Sequence, residues 1–205
     1  STPSTTSPYV SWSERSLVPQ DVRYICSNEM QYAVIQPFHG SQKVVVYDND
    51  GTVLGTPVES KSKRLKQCAF VGKDHLVVTD NNYVFFVSRT NGWKTVELRR
   101  FSYTSLCEFD STTVALGHHG GVAVDDTSPG VHFRNVSTGN TLDSIRDQSQ
   151  IISMCVVGEV LVTGTHDPSV RINKKESDGV WSTGFIRLDD VVDPKHVRSH
   201  RWVRS

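Results

Sequence analysis

Two unrelated residue types keep the same beat along this chain. Cys26, Cys68, Cys107 and Cys155 stand 42, 39 and 48 residues apart, and the glycines of Asp50-Gly51, Asn91-Gly92, Thr138-Gly139 and Asp178-Gly179 recur at intervals of 41, 47 and 40. Such agreement denotes an internal repeat. A repeat constrains the fold more tightly than composition does, because each unit must bury its apolar face against its neighbours.

The content of each unit is β-rich. The cysteine contexts Ile25-Cys26, Gln67-Cys68-Ala69-Phe70, Leu106-Cys107-Glu108-Phe109 and Met154-Cys155-Val156-Val157 read as a first short strand. A second follows in Tyr32–Ile35, Leu76–Thr79, Val114–Leu116 and Val160–Thr163, and a third in Val44–Tyr47, Tyr83–Val87, Val131–Phe133 and Val170–Ile172. The turn glycine comes next, where positive φ is required and the absence of a Cβ permits it. A fourth strand follows it in Thr52–Leu54, Trp93–Leu98, Asn140–Leu142 and Val180–Thr183. The long third interval has a local cause, an insertion between Gly117 and Gly130 that lengthens the turn between second and third strands. No helical window of convincing length interrupts this pattern, and Leu142–Gln148 is a weak candidate at most.

Four short antiparallel strands per unit resemble the blades of the WD-repeat β-propeller family. The segment Gly164-Thr165-His166-Asp167-Pro168-Ser169-Val170-Arg171-Ile172 is similar to that family's turn between second and third strands, with Asp167 at the turn aspartate, and Tyr47-Asp48 stands where the family's Trp-Asp pair closes a third strand. The other units close that strand with Val87-Ser88, Asn135-Val136 and Ile172-Asn173, so the motifs are degenerate. The resemblance runs from about Val22 to Leu188 and implies an all-β chain of four blades, each of four antiparallel strands. The blades would occupy about 21–61, 62–100, 101–148 and 149–190, between a Ser/Thr/Pro-rich segment at 1–20 and a basic segment at 191–205. Propellers have about four to eight blades, so four blades form a small closed ring, part of a larger ring, or half of an assembly. An open fan would leave edge strands seeking partners. Tyr9–Trp12 and Arg198–Val203 are candidate closing strands, and another part of a parent chain or a partner protein is the alternative.

Charge and length narrow the functional classes. The 205 residues carry 22 basic and 22 acidic side chains, so the long-range field of a dedicated nucleic-acid or anionic-membrane binder is missing. No apolar run is long enough to cross a bilayer as a helix, the Ser1–Pro8 start lacks the pattern of a signal peptide, and a start without Met suggests a piece of something longer. The cysteines form no Cys-x-x-Cys pair, so neither a zinc knuckle nor a redox motif is expected. They read as small buried hydrophobes kept in separate blades, unpaired as in a reducing, intracellular compartment, with nucleus and cytoplasm equally open. Neither a Gly-x-Ser-x-Gly elbow nor a phosphate-binding Gly-rich loop is present, so catalysis, cofactors and metals are not expected.

His39, His118, His119 and His166 fall in or near turns between second and third strands, where ordinary turn polarity accounts for them. The turn carboxylates Asp48, Asp50, Asp80, Asp125, Asp126, Asp167 and Asp178 are read as bonding their own backbone. One basic cluster, Lys61, Lys63, Arg64 and Lys66, lies between the first two units, and a second, Lys195, His196, Arg198, His200, Arg201 and Arg204 with Trp202 among them, ends the chain. Solvated linker and tail is the plain reading, although Trp and Arg are enriched at binding hot spots. The expected function is a non-catalytic protein-interaction scaffold within a larger protein or complex, touching other proteins through His118, His119, Asp125 and Asp126 of the insertion and through Arg198, Arg201, Trp202 and Arg204. Two alternatives are a polo-box-like module binding partner peptides, phosphorylated or not, which would need helices, and a propeller enzyme with a His/Asp turn site. Nucleic-acid binding through the tail is a minor fourth reading.

Overall fold

Each turn glycine adopts the left-handed conformation its hairpin requires: φ is 86° at Gly51, 66° at Gly92, 69° at Gly139 and 82° at Gly179. Their amides close the turns on the carbonyls of Asp48, Arg89, Asn135 and Glu176. Side chains complete several turns, since Asp48 Oδ1 accepts from the amides of Asp50 and Thr52, and Asp80 Oδ1 from those of Asn82 and Tyr83. These local closures set the hairpins from which the sheets grow.

The computed structural model describes residues 22–60, 65–100, 103–118, 130–146, 150–187 and 203–204. The first sheet holds β1 (Tyr24–Ser27), β2 (Gln31–Phe38), β3 (Ser41–Asp48) and β4 (Val53–Ser60) in sequential antiparallel order. The second holds β5 (Gln67–Val71), β6 (His75–Thr79), β7 (Tyr83–Ser88) and β8 (Lys94–Arg100). The third holds β9 (Ser105–Asp110), β10 (Thr113–His118), β11 (Gly130–Asn135) and β12 (Thr141–Arg146). The fourth holds β13 (Ile151–Val157), β14 (Val160–Thr165), β15 (Ser169–Lys175) and β16 (Trp181–Arg187), and β17 (Val203–Arg204) adds an outer fifth strand. No helix occurs among the described residues, and the helix candidate at Leu142–Gln148 is strand β12 as far as Arg146. Asp143 to Arg146 pair with Gly130 to Phe133 of β11, burying Ile145 while Leu142 stays exposed at a register shift, and that pairing overrides a weak local preference.

The sheets stack face to face as blades. The first strands lie side by side, β1 on β5, β5 on β9 and β9 on β13. Three apolar cores fill the gaps between them. Ala33, Ile35, Val44 and Val46 of the first blade meet Phe70, Leu76, Val78 and Trp93 of the second. Val77, Val84 and Phe86 on the other face of the second meet Tyr103, Leu106, Val114 and Leu116 of the third. Ala115, Val131, Phe133 and Ile145 of the third meet Ile151, Leu161 and Trp181 of the fourth. At about 1.5–3 kcal/mol for each large side chain taken fully out of water, these cores hold the blades together. Polar contacts pin the blade edges: Gln31 Nε2 donates to Lys73 O at 2.9 Å, and the Gly72 amide donates to Glu108 Oε1 at 2.9 Å.

The four cysteines are free and lie in four separate blades, but separate blades do not keep all of them out of contact, nor are all of them buried. The residues that share a register position are Cys26, Ala69, Cys107 and Cys155, paired to Ala33, Val77, Ala115 and Val162 respectively. Cys68 stands one residue earlier, and in a strand one residue reverses the face. It therefore turns back toward the first blade, and its Sγ lies 3.1 Å from Cys26 Sγ, so these two thiols are not kept apart by their blades. Cys68 is buried and Cys26 and Cys107 are half-buried as small core residues, whereas Cys155 is exposed.

Candidate interaction surface

The register that places Cys26, Ala69, Cys107 and Cys155 also defines the face each blade turns toward the next. In cross-strand rows this face carries Cys26-Ala33-Val46, Ala69-Val77-Phe86, Cys107-Ala115-Phe133 and Cys155-Val162-Ile172. The second- and third-strand members of the first three rows are buried under the following blade. In the fourth blade Val162 and Ile172 are only half-buried, as are Val160, Val170 and Ile186 on the same face, while Cys155 is exposed and Val157 is 64% exposed. Among the described residues β13 and β1 make no contact comparable to those between successive first strands, so the four described sheets form a fan. At the other end of the fan, Val34 and Val45 on the outward face of the first blade are buried, with Tyr32 stacked on Tyr47 at 5.0 Å beside them. Among the described residues the two ends differ: Val34 and Val45 are buried at one, whereas the apolar face at the other is half-buried to exposed.

His118 lies at the end of β10, opposite Gly130, so it stands at the foot of the insertion. It is 2% exposed and packs with its ring centroid 4.3 Å from that of His132 on the neighbouring strand. Tyr103 Oη lies 3.1 Å from His132 Nδ1, and Arg134 Nε donates to the same oxygen at 2.9 Å. Burial raises the Tyr103 phenol above its ordinary value, and the Arg134 cation works against that rise. Sequence reading singled out His118 and passed over His132, whose place in a short Val-His-Phe strand carries no turn signal. The cluster stands where the insertion leaves the sheet.

His119, Asp125 and Asp126 lie outside the described residues, as do Lys61, Lys63, Arg64, Arg198, Arg201 and Trp202. Lys66 is exposed just before β5, beside the buried Leu65 whose amide donates to Gln42 Oε1 at 2.7 Å. Arg204 belongs to β17, which pairs with Ser182 and Thr183 along the outer edge of the fourth blade. That short strand widens the fourth sheet and leaves its uncovered face as it is. His39 and His166 occupy exposed turns on different blades, and among the described residues no group of three or more His, Cys, Asp or Glu side chains is arranged to hold a metal ion. What sequence reading missed is the fourth blade's open face, although its signal is visible in the alternation Val160, Val162, then Val170, Ile172 in the last unit.

No protein-family model and no curated protein sequence matches the chain. Solved structures do. The computationally designed Ika4 protein aligns with a TM-score of 0.56 at 17% identity, over 76% of this chain and 92% of that one. The WD40 domain of Toxoplasma gondii coronin aligns with a TM-score of 0.54 at 11% identity, over 92% of this chain and 60% of that one. A chain of the mitotic checkpoint complex aligns with a TM-score of 0.58 at 15% identity, over 88% of this chain and 60% of that one. The chain thus spans a little under two thirds of the two natural structures it resembles. At these identities the likeness speaks to architecture, and together with four stacked four-stranded sheets it gives the chain a WD-repeat-like β-propeller fold.

Proposed function

We propose that the chain is a non-catalytic protein-interaction scaffold whose principal docking surface is the uncovered face of the fourth blade, and that its occupant is a β-sheet seated as the next blade would be. The observation that carries this reading is the row Cys155-Val162-Ile172, exposed at Cys155 and half-buried at Val162 and Ile172, at register positions where Ala33, Val77 and Ala115 are fully buried. An apolar sheet face flanked by a β-edge is a surface that associates. The rigid stack behind it supports the reading, because propeller blades display surfaces without moving. On this proposal the partner is another protein, or another part of a larger polypeptide, and the setting is intracellular. The insertion and the basic tail contribute secondary contacts through His119, Asp125, Asp126, Arg198, Arg201 and Trp202.

The test compares proteins that co-purify with the intact chain and with Val162→Arg, each quantified by mass spectrometry, alongside sedimentation of the purified chain. A partner lost in Val162→Arg while circular dichroism is unchanged supports the face. Partners kept by Val162→Arg but lost on removing residues 119–129 or the tail beyond Pro194 would move the site to those segments. A monomeric chain with no specific partner would refute the scaffold reading and favour catalysis.

A further inference from the structure

We infer that Cys26 and Cys68 form an oxidation site, a pair of thiols that a hydroperoxide converts into a disulfide stapling the first blade to the second. The two sulfurs lie 3.1 Å apart, closer than sulfur atoms in ordinary contact, although they come from different sheets and are 42 residues apart in sequence. Their strands β1 and β5 run side by side in the wall of first strands, so joining the sulfurs requires side-chain rotation and little backbone movement. Register creates the pair. Had Cys68 followed the repeat it would stand at position 69 and face the third blade, as Ala69 does.

The chemistry divides between the two residues. Cys26, the more accessible, attacks one peroxide oxygen as its thiolate; the O–O bond breaks, the departing oxygen takes up a proton and leaves as water or alcohol, and Cys26 becomes a sulfenic acid. Cys68 sulfur then attacks the Cys26 sulfur, the S–O bond breaks, and the hydroxyl leaves with the Cys68 proton as water. Two thiols are oxidised, one hydroperoxide is reduced, and the protein loses two hydrogen atoms. The hydrogen bond with the Cys26 thiol, and after it burial, raise Cys68 well above its ordinary value, which keeps it protonated until Cys26 is activated beside it. The staple would close a long loop of chain and tie the first blade to the second, the one described blade it packs against.

Peptide mapping tests this directly. The folded full chain is treated with hydrogen peroxide, remaining thiols are alkylated, and the protein is digested with trypsin without reduction. The expected product is a cross-link between peptides Tyr24–Lys43 and Gln67–Lys73, lighter by two hydrogens than the separate peptides, with a raised melting temperature that falls back on reduction. Cys26→Ala removes a half-buried side chain, so it should fold, lose the cross-link and show no peroxide-dependent rise in melting temperature. Recovery of both peptides fully alkylated from oxidised folded protein, or cross-links that join Cys26 or Cys68 to Cys107 or Cys155 instead, would overturn the inference. So would the same mixture of cross-links from folded and urea-unfolded chain.

Discussion

Truncating Phe133 to alanine is the most direct way to ask whether the third and fourth blades pack as described. The Phe133 ring is buried, stacked on Trp181 with centroids 4.8 Å apart and planes 6° from parallel, and met edge-on by Phe109 at 4.8 Å. Removing a buried phenyl group costs about 3–5 kcal/mol, which includes the cavity left behind. The two ring contacts account for roughly 0.5–1.5 kcal/mol each beyond the buried area. For a chain of this size each kcal/mol moves the melting temperature by about 2–4 °C, so Phe133→Ala should melt roughly 6–20 °C lower. Urea denaturation should show an earlier midpoint with an unchanged slope, and a double-mutant cycle with Trp181→Leu should give a coupling energy of about 1 kcal/mol. A loss below about 1 kcal/mol, or no coupling, would refute the stacked interface and the blade order built on it.

Three further perturbations probe the same packing. Partial burial pushes the Asp143 carboxyl up, but hydrogen bonds from Lys175 Nζ at 2.5 Å, Trp181 Nε1 at 3.0 Å and the Ser144 amide outweigh it and hold the group below the ordinary carboxylate range. A depressed folded value means the stabilisation is complete above the unfolded pKa and is lost as pH falls through the folded one, so Asp143→Asn should be less stable than the parent at neutral pH and equal to it in strong acid; a constant difference in urea titrations across that range would contradict this. Burial, with Cys155 and Glu108 nearby, pushes the Cys107 thiol up to about 12, whereas Cys155 is exposed, so iodoacetamide at mildly alkaline pH should label Cys155 first, and prior labelling of Cys107 by mass spectrometry would refute that order. A Cβ on Gly117 would stand 2.5 Å from Ser105 Oγ and 2.7 Å from Ile151 Cγ2, so Gly117→Ala should cost about 1–3 kcal/mol in thermal or urea melts, and a neutral result would mean β9 and β13 do not close on β10 as described.

Much of the fold is legible because its signals are local. Gly51, Gly92, Gly139 and Gly179 mark the hairpins since positive φ is a property of one residue, and Asp48 and Asp80 cap their turns through bonds that span two to four residues. The candidate surface is less legible. His118 was visible as part of a Gly-His-His run, but its burial against His132 depends on which strand follows the insertion. Half-exposed Val162 and buried Ala115 stand at the same point of their units, and nothing within either unit distinguishes them.

The repeat, the four strands of each unit and the turns between them are local properties, because backbone conformation and period-two alternation are written within a few residues. Tertiary structure decided which way each residue faces and what covers it. Cys68 keeps the cysteine beat to within a single residue, yet that residue reverses its face and brings it onto Cys26. How deeply each blade face is buried is likewise a property of blade against blade, and among the described residues it leaves Val162 and Ile172 half-buried where Ala115 and Phe133 are buried.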